Sequence, residues 1–194
     1  MNNDIYGKKS KKEGVTPAIA LVNPKFPHNV GAAVRAASCF GVKQVWFSGD
    51  RIRLDEKKRL PREERMKGYK DVTLRQYDYF YDQFEDCTPV AIELRPNSES
   101  LATFEHPENP LYIFGPEDGS LSGKHLERAH RIVVIPTRHC VNLSAAVYLV
   151  LYDRMVKENP NVTIFDMLAE NRSNFQSKGL YVDNDDFHKE LGVF

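Results

Sequence analysis

Short apolar runs separated by polar, helix-length segments recur along the chain. PAIALVN (17–23), KQVWFSG (43–49), TPVAIEL (88–94), LYIFG (111–115) and RIVVIP (131–136) are largely continuous rather than alternating in their apolar positions. That pattern predicts strands buried on both faces. DVTLRQY (71–77) reads as a further short strand, and YFYDQFED (79–86) as a short helix. Asn29 can cap a helix running to about Phe40, with Val30, Ala33, Val34 and Ala37 on one face and Gly41 as its stop. SLSGKHLERAH (120–130), the stretch from Val141 to about Lys157, and TIFDMLAENRSNF (163–175) carry helical patterns. Strands alternating with helices imply an α/β fold, a parallel sheet covered on both faces.

The helix expected from Val141 has little face left for water. Leu143, Ala146, Val147 and Val150 line one side, and Tyr148, Leu151, Tyr152 and Met155 line much of the other. Its own sheet can cover one side and a second copy of the chain the other, so a homodimer is expected. Residues 1–15, MNNDIYGKKSKKEGV, read as a disordered basic leader, 16–175 as one domain and 176–194 as a C-terminal tail.

The chain has 194 residues, 41% of them hydrophobic, a length that supports one full core without disulfides or metal. No window approaches the roughly 18 apolar residues of a membrane span, and the N-terminus lacks a signal-peptide apolar stretch, which reads as a cytoplasmic protein. Cys39, Cys87 and Cys140 form no CxxC pair, and no spacing joins His28, His125, His130 or His139 to them, so no metal site is expected. The formal net charge of zero hides a gradient. Residues 1–70 hold 16 Lys and Arg against 7 Asp and Glu, net +9, and the remainder holds 11 against 20, net −9. Much of the excess lies in RIRLDEKKRLPREERMKGYK (51–70), which reads either as a solvated surface or as a phosphate-contacting face carrying Arg51, Arg53, Arg59, Arg62 and Arg65.

Open α/β sheets bind ligands beyond the carboxyl ends of their strands. Polar residues and glycines gather at three such ends: NPKFPHNVGAAVR (23–35), GPEDGSL (115–121) and PTRHCVN (136–142). None has the spacing of a dinucleotide fingerprint or a P-loop, which disfavours NAD and ATP. Arg35 follows Gly31 by four residues, so its side chain can lean back over the glycine toward Asn29. It is either a site residue or a surface ion pair, with Glu117 as the natural partner in both cases.

Taken together and in order, N-x5-NVGAAVRAA (23–37), IFGPEDGSL (113–121) and VIPTRHCVNLSAA (134–146) resemble the three motifs of the SpoU/TrmH family of SPOUT RNA ribose methyltransferases. The resemblance covers residues 17–157. It implies an α/β-knot with a deep C-terminal trefoil knot, S-adenosylmethionine as cofactor, and a homodimer acting on a structured RNA, tRNA or rRNA. It also implies Asn29 and Arg35 at the target ribose, Glu117 holding the site together and Asn142 beside the cofactor. Gly115, Ile135 and Val141 match positions that hold the cofactor through backbone groups, with Ile92 a further match. The family usually has Ser-Leu-Asn where this chain has Cys140-Val141-Asn142, and a thiol is a weaker donor than a hydroxyl.

Methyl transfer to a 2′-hydroxyl asks mainly for alignment and for help in removing a proton. The family assigns deprotonation to the arginine matching Arg35. A guanidinium, which keeps its proton throughout the physiological range, fits better as a clamp on the target's phosphate. The alternative is a non-catalytic RNA-binding protein that keeps the knotted fold. A leader of about fifteen residues leaves no room for a separate RNA-recognition domain, so substrate choice is expected from 51–70, the leader, the tail and the dimer.

Overall fold

The computed structural model describes residues 3–6, 16–52, 71–84 and 86–161. The chain divides after Met155 into two compact units, of which the second is described only to residue 161. The first holds strands β1 (Asn3–Tyr6), β2 (Ala18–Leu21), β3 (Gln44–Phe47), β4 (Thr73–Gln76), β5 (Thr88–Ile92), β6 (Glu99–Ser100), β7 (Pro110–Phe114) and β8 (Arg131–Val134). The helices are α1 (Pro27–Cys39), α2 (Gly123–Leu126) and α3 (Leu143–Glu158), with single 3-10 turns at Phe80–Gln83 and Leu101–Thr103.

The strands form one sheet in the order β1-β4-β3-β2-β7-β5-β8-β6. Every pairing from β4 to β6 is parallel, as the continuous apolar runs predicted. Winding reverses after β4: β3 and β4 step outward on one side of β2, while β7, β5 and β8 occupy the other. The boundary between β2 and β7 is therefore the switch point at which loops diverge and leave a crevice. Register places Leu21 beside Phe114, Phe114 beside Ile92, and Ile92 beside Val133. The loops after β2, β7, β5 and β8 consequently leave one edge of the sheet side by side.

Side chains alternate between two cores. Ile19, Leu21, Val45, Phe47, Tyr112 and Phe114 pack with Val30, Ala33, Val34 and Ala37 of α1 and with Val147 and Val150 of α3. Ala18, Ala20, Trp46, Leu111 and Ile113 pack on the opposite face with Phe80, Phe84 and Leu121. A strand buried on both faces has no polar alternation, which accounts for the sequence pattern. The buried ring of His106 further ties α3 to the sheet, bonding Tyr112 Oη at 2.6 Å and Asp153 Oδ2 at 2.9 Å.

Several expectations need correction. Asn29 does not cap α1. Pro27, whose missing N–H and preset φ suit a first helical position, starts the helix two residues earlier, and Phe26 before it is extended at φ −117°, ψ 125°. Gly41, at φ +73°, does end it. Within the leader expected to be disordered, Asn3–Tyr6 pairs antiparallel with β4, whose edge N–H and C=O groups accept any extended segment that reaches them. The helix expected over 120–130 is one turn, and β6 carried no apolar signal because it is a two-residue edge. The segments 53–70 and 163–175 and the tail lie outside the described residues.

At the carboxyl ends of β2 and β3, two left-handed residues meet, Asn23 at φ +46° and Gly49 at φ +85°. A Cβ on Gly49 would stand 2.3 Å from Asn23 Oδ1 and 3.0 Å from its Cβ. Gly49→Ala should therefore cost about 1–3 kcal/mol, through left-handed strain and displacement of Asn23, read as a lowered urea midpoint with unchanged m-value.

Candidate functional site

A chain of hydrogen bonds crosses three of the loops at the switch point. Asn29 Nδ2 donates to Glu117 Oε1 at 2.6 Å, and Asn142 Nδ2 donates to Asn29 Oδ1 at 3.1 Å. Asn142 Oδ1 in turn accepts from Ser144 N at 2.9 Å, Ser144 Oγ at 2.6 Å and Ala145 N at 3.4 Å, which caps the start of α3. Each amide faces one way for a reason. A carboxylate can only accept, so Asn29 must present Nδ2 to Glu117; its Oδ1 is then left to accept from Asn142. Asn29 is only 1% exposed, so leaving either group unpaired would incur the full desolvation penalty.

Glu117 also accepts from the main-chain N–H of Lys25 at 2.7 Å and of Phe26 at 3.4 Å, just ahead of α1. Burial pushes its pKa up, but the bonds from Asn29, Lys25 and Phe26 outweigh burial and hold it below the ordinary 4.5. The expected contact between Glu117 and Arg35 is not made, because these three donors already occupy the carboxylate. Arg35 is half-buried on α1 and makes no hydrogen bond or ion pair with the described residues.

The neighbouring Asp118 is engaged separately. Arg51 grips it with two nitrogens at 2.8 and 2.7 Å, and Lys25 Nζ lies 3.1 Å away. Those cations hold the Asp118 carboxyl well below the usual carboxylate range. Arg51 also donates to the Asn23 carbonyl at 3.4 Å, so its guanidinium joins the loops after β2, β3 and β7 instead of standing free for a phosphate. Arg53, Arg59, Arg62 and Arg65 lie outside the described residues.

Beside this network is a cleft of about 440 Å³ bounded by the ends of β5 and β8 and the loop between β8 and α3. Four of the five expected cofactor-binding residues, Ile92, Ile135, Cys140 and Val141, line it. Gly115 does not; it leaves room for the Leu121 backbone, whose N would stand 3.4 Å from an added Cβ. Asn142 directly follows the lining residue Val141, so the hydrogen-bond chain ends at the cleft's rim. Sequence reasoning missed Glu93, which lines the cleft and accepts from Leu121 N at 2.8 Å and Leu94 N at 3.1 Å. The signal was available: Glu93 is the first polar residue after the apolar run of β5, at a strand's carboxyl end. Also missed were Thr137, Arg138 and His139, exposed in the loop; Thr137 Oγ1 bonds the His139 carbonyl at 2.7 Å and closes it into a tight turn. Among the described residues, no cluster of three or more His, Cys, Asp and Glu is placed to hold a metal, and no helix is long and apolar enough to cross a membrane.

The family model for the SpoU rRNA methylases matches residues 17–152, the segment that carries β2 to β8, α1, most of α3 and all three loops. The tRNA (cytidine-2′-O-)-methyltransferase TrmJ of Methanocaldococcus jannaschii is 25% identical over 165 residues, 74% of this chain and 69% of that protein. The AdoMet-bound rRNA methyltransferase from Sinorhizobium meliloti superposes with a TM-score of 0.64 at 19% identity, over 78% of this chain and 59% of the other. The SpoU methyltransferase AviRb from Streptomyces viridochromogenes, in complex with AdoMet, does so with 0.64 at 14% identity, over 79% and 64%. The chain thus spans roughly three fifths of the length of those two solved proteins, 59% and 64%, and the likeness to them is one of fold.

Glu117→Gln replaces one accepting oxygen with a donor and strands either Asn29 Nδ2 or a main-chain N–H, at an expected cost of about 1–3 kcal/mol near pH 7. Because the folded pKa lies below the ordinary 4.5, the wild-type advantage is full above that value and disappears as pH falls through the lower, folded one. The gap in urea midpoint between the two proteins should be constant well above pH 4.5 and narrow as the pH falls below it; a gap independent of pH contradicts the assignment.

Proposed function

The chain belongs to the SpoU rRNA methylase family, and we propose that it transfers the methyl group of S-adenosylmethionine to a ribose 2′-hydroxyl of a structured RNA. One observation carries this reading: the Glu117–Asn29–Asn142 chain ends at the rim of the apolar cleft and leaves Arg35 free on the same helix as Asn29. The cleft suits the cofactor on its own chemistry. Ile92, Ile135 and Val141 offer apolar walls to a flat base, strand-end and loop backbone offers polar groups, and its volume is that of a small-molecule site. Ile92, Ile135, Cys140 and Val141 would hold the cofactor, with Gly115 keeping the adjoining backbone close. S-adenosylmethionine, when bound, supplies a methyl group already activated on a sulfonium.

The protein's own residues then have three tasks. Asn142, clamped between Asn29 and the start of α3, fixes the cleft's rim. Asn29, with its amide orientation imposed by Glu117, orients the ribose side. Arg35 clamps the phosphate next to the target ribose and stabilises negative charge on the 2′-oxygen as it loses its proton. A guanidinium is already fully protonated at neutral pH, so Arg35 orients this step while the proton passes to solvent water. The tRNA activity in the name of the Methanocaldococcus jannaschii relative makes tRNA the first substrate class to test. Arg53, Arg59, Arg62 and Arg65 are the proposed phosphate contacts outside the site. The proposal includes the C-terminal knot, in keeping with the strand order and with the β8–α3 loop lying against the end of β5. It places the protein in the cytoplasm as a homodimer: α3 exposes Leu149 (40%) and Tyr152 (56%), and Tyr148 packs edge-on against Phe40 of α1 at 6.3 Å.

Arg35→Ala should bind S-adenosylmethionine by calorimetry as the wild type does, yet lose at least about a hundredfold in methyl transfer to tRNA transcripts, the scale of one removed transition-state contact. Retained turnover overturns its role, and absence of cofactor binding by the wild type overturns the enzymatic reading. Light scattering at micromolar concentration should give a dimer mass, and Tyr152→Glu should shift it to that of a monomer.

A further inference from the structure

A pair of exposed rings stands at the mouth of this site. Phe26, 41% exposed, lies against the ring of His28 with centroids 5.3 Å apart and planes 21° from parallel; Lys25 Nζ sits 5.4 Å from the Phe26 ring centre. A single exposed phenylalanine needs no explanation. What distinguishes this one is how it is held. Its backbone is fixed between Pro24 and Pro27 in the extended conformation that a following proline imposes. Its N–H reaches Glu117 at 3.4 Å, the N–H of Lys25 reaches the same carboxylate at 2.7 Å, and its carbonyl accepts from Asn29 N at 3.0 Å. The ring pair is therefore anchored to the Glu117 carboxylate and to the main chain of Asn29, the two residues that organise the ribose side of the site.

We propose that the Phe26–His28 pair is a stacking platform for an RNA base, that of the nucleotide being methylated or its immediate neighbour. This rests on the ribose-methylation reading above. To bring a 2′-hydroxyl against Asn29, which is almost wholly buried, the nucleotide must be splayed out of its helix, and the lost stacking must be recovered on the protein. Aromatic faces beside the site recover it. Because every base has a π-face, the platform positions the nucleotide without reading its identity. It is a substrate-positioning element, distinct from the arginines of 51–70, whose contribution is long-range and salt-dependent.

The test uses the full chain, tritiated S-adenosylmethionine and unmodified tRNA transcripts. Phe26→Ala should lower kcat/KM for RNA by about tenfold or more, the scale of one lost base–aromatic stack, with cofactor affinity by calorimetry and mass by light scattering unchanged. Phe26→Trp should stay within about threefold of wild type, since the indole stacks at least as well. Trp46, the single native tryptophan, is wholly buried, so the new indole is the solvent-facing emitter and should be quenched when single-stranded RNA is added. Three results overturn the platform alone: Phe26→Ala active within twofold, Phe26→Trp unquenched by RNA, or a changed mass for Phe26→Ala, which would make the ring a subunit contact. A wild type that methylates no RNA overturns the ribose-methylation reading and the platform with it.

Discussion

The arrangement at the end of the sheet depends on the charge of one side chain. Glu117 carries acceptors only, and its surroundings supply donors from one direction, the turn into α1. Once its oxygens are committed to Lys25 N, Phe26 N and Asn29 Nδ2, the remaining polarity follows without further choice: Asn29 must accept from Asn142, and Asn142 must accept from the first turn of α3. A single buried amide has two orientations of similar energy; tied to a carboxylate it has one, because the flipped form sets a carbonyl against a negative charge. The loops after β2, β7 and β8, distant in sequence, are in this way held in one register by a handful of side-chain bonds.

That register is available only because the strands are parallel and wind in two directions from β2. A parallel sheet delivers every strand's carboxyl end to the same edge, and the reversal between β2 and β7 keeps their loops from packing over each other. The small side chains of α1, Ala33, Ala36 and Ala37 among them, let that helix lie close on the sheet, so its first turn reaches the loop after β7. Bulkier residues there would lift the helix and lengthen the bond from Asn29 to Glu117, which at 2.6 Å has no slack. The packing of the helix and the geometry of the site are one constraint.

Much of this was legible in the sequence, for identifiable reasons. Continuous apolar runs reported strands buried on both faces, because burial leaves no polar alternation to confuse them, and the polar residues at their carboxyl ends marked the site. Local chemistry misled where tertiary contacts won. Asn29 has the side chain of a helix cap, but Pro27 can begin the helix earlier and Glu117 offers the amide a stronger, charged partner. Glu93 was passed over because a strand pattern followed by a charge looks like an ordinary strand end; only the fold shows β5 ending beside β8 at the cleft. The two-residue β6 has too few side chains to make a pattern, and Asn3–Tyr6 adds to an edge through backbone groups, which composition does not encode.

Charge counting along the chain shows most clearly what a one-dimensional reading misses. The basic first third, net +9, points to phosphate, and each arginine in it counts equally in the sum. In the structure they are not equal. Arg51 and Lys25 share Asp118, so their charges are largely neutralised where they stand and serve to hold loops together. Glu117, the carboxylate nearest the start of α1, is filled by amide donors, so it does not neutralise Arg35. An acidic pair in the GPEDG turn thus engages Arg51 and Lys25 and leaves Arg35 on α1 without a carboxylate among the described residues. A guanidinium without a carboxylate is costly to keep half-buried unless an anion arrives to replace the water it has lost. In the proposed reaction, the anion that Arg35 lacks among the described residues is the phosphate beside the target ribose.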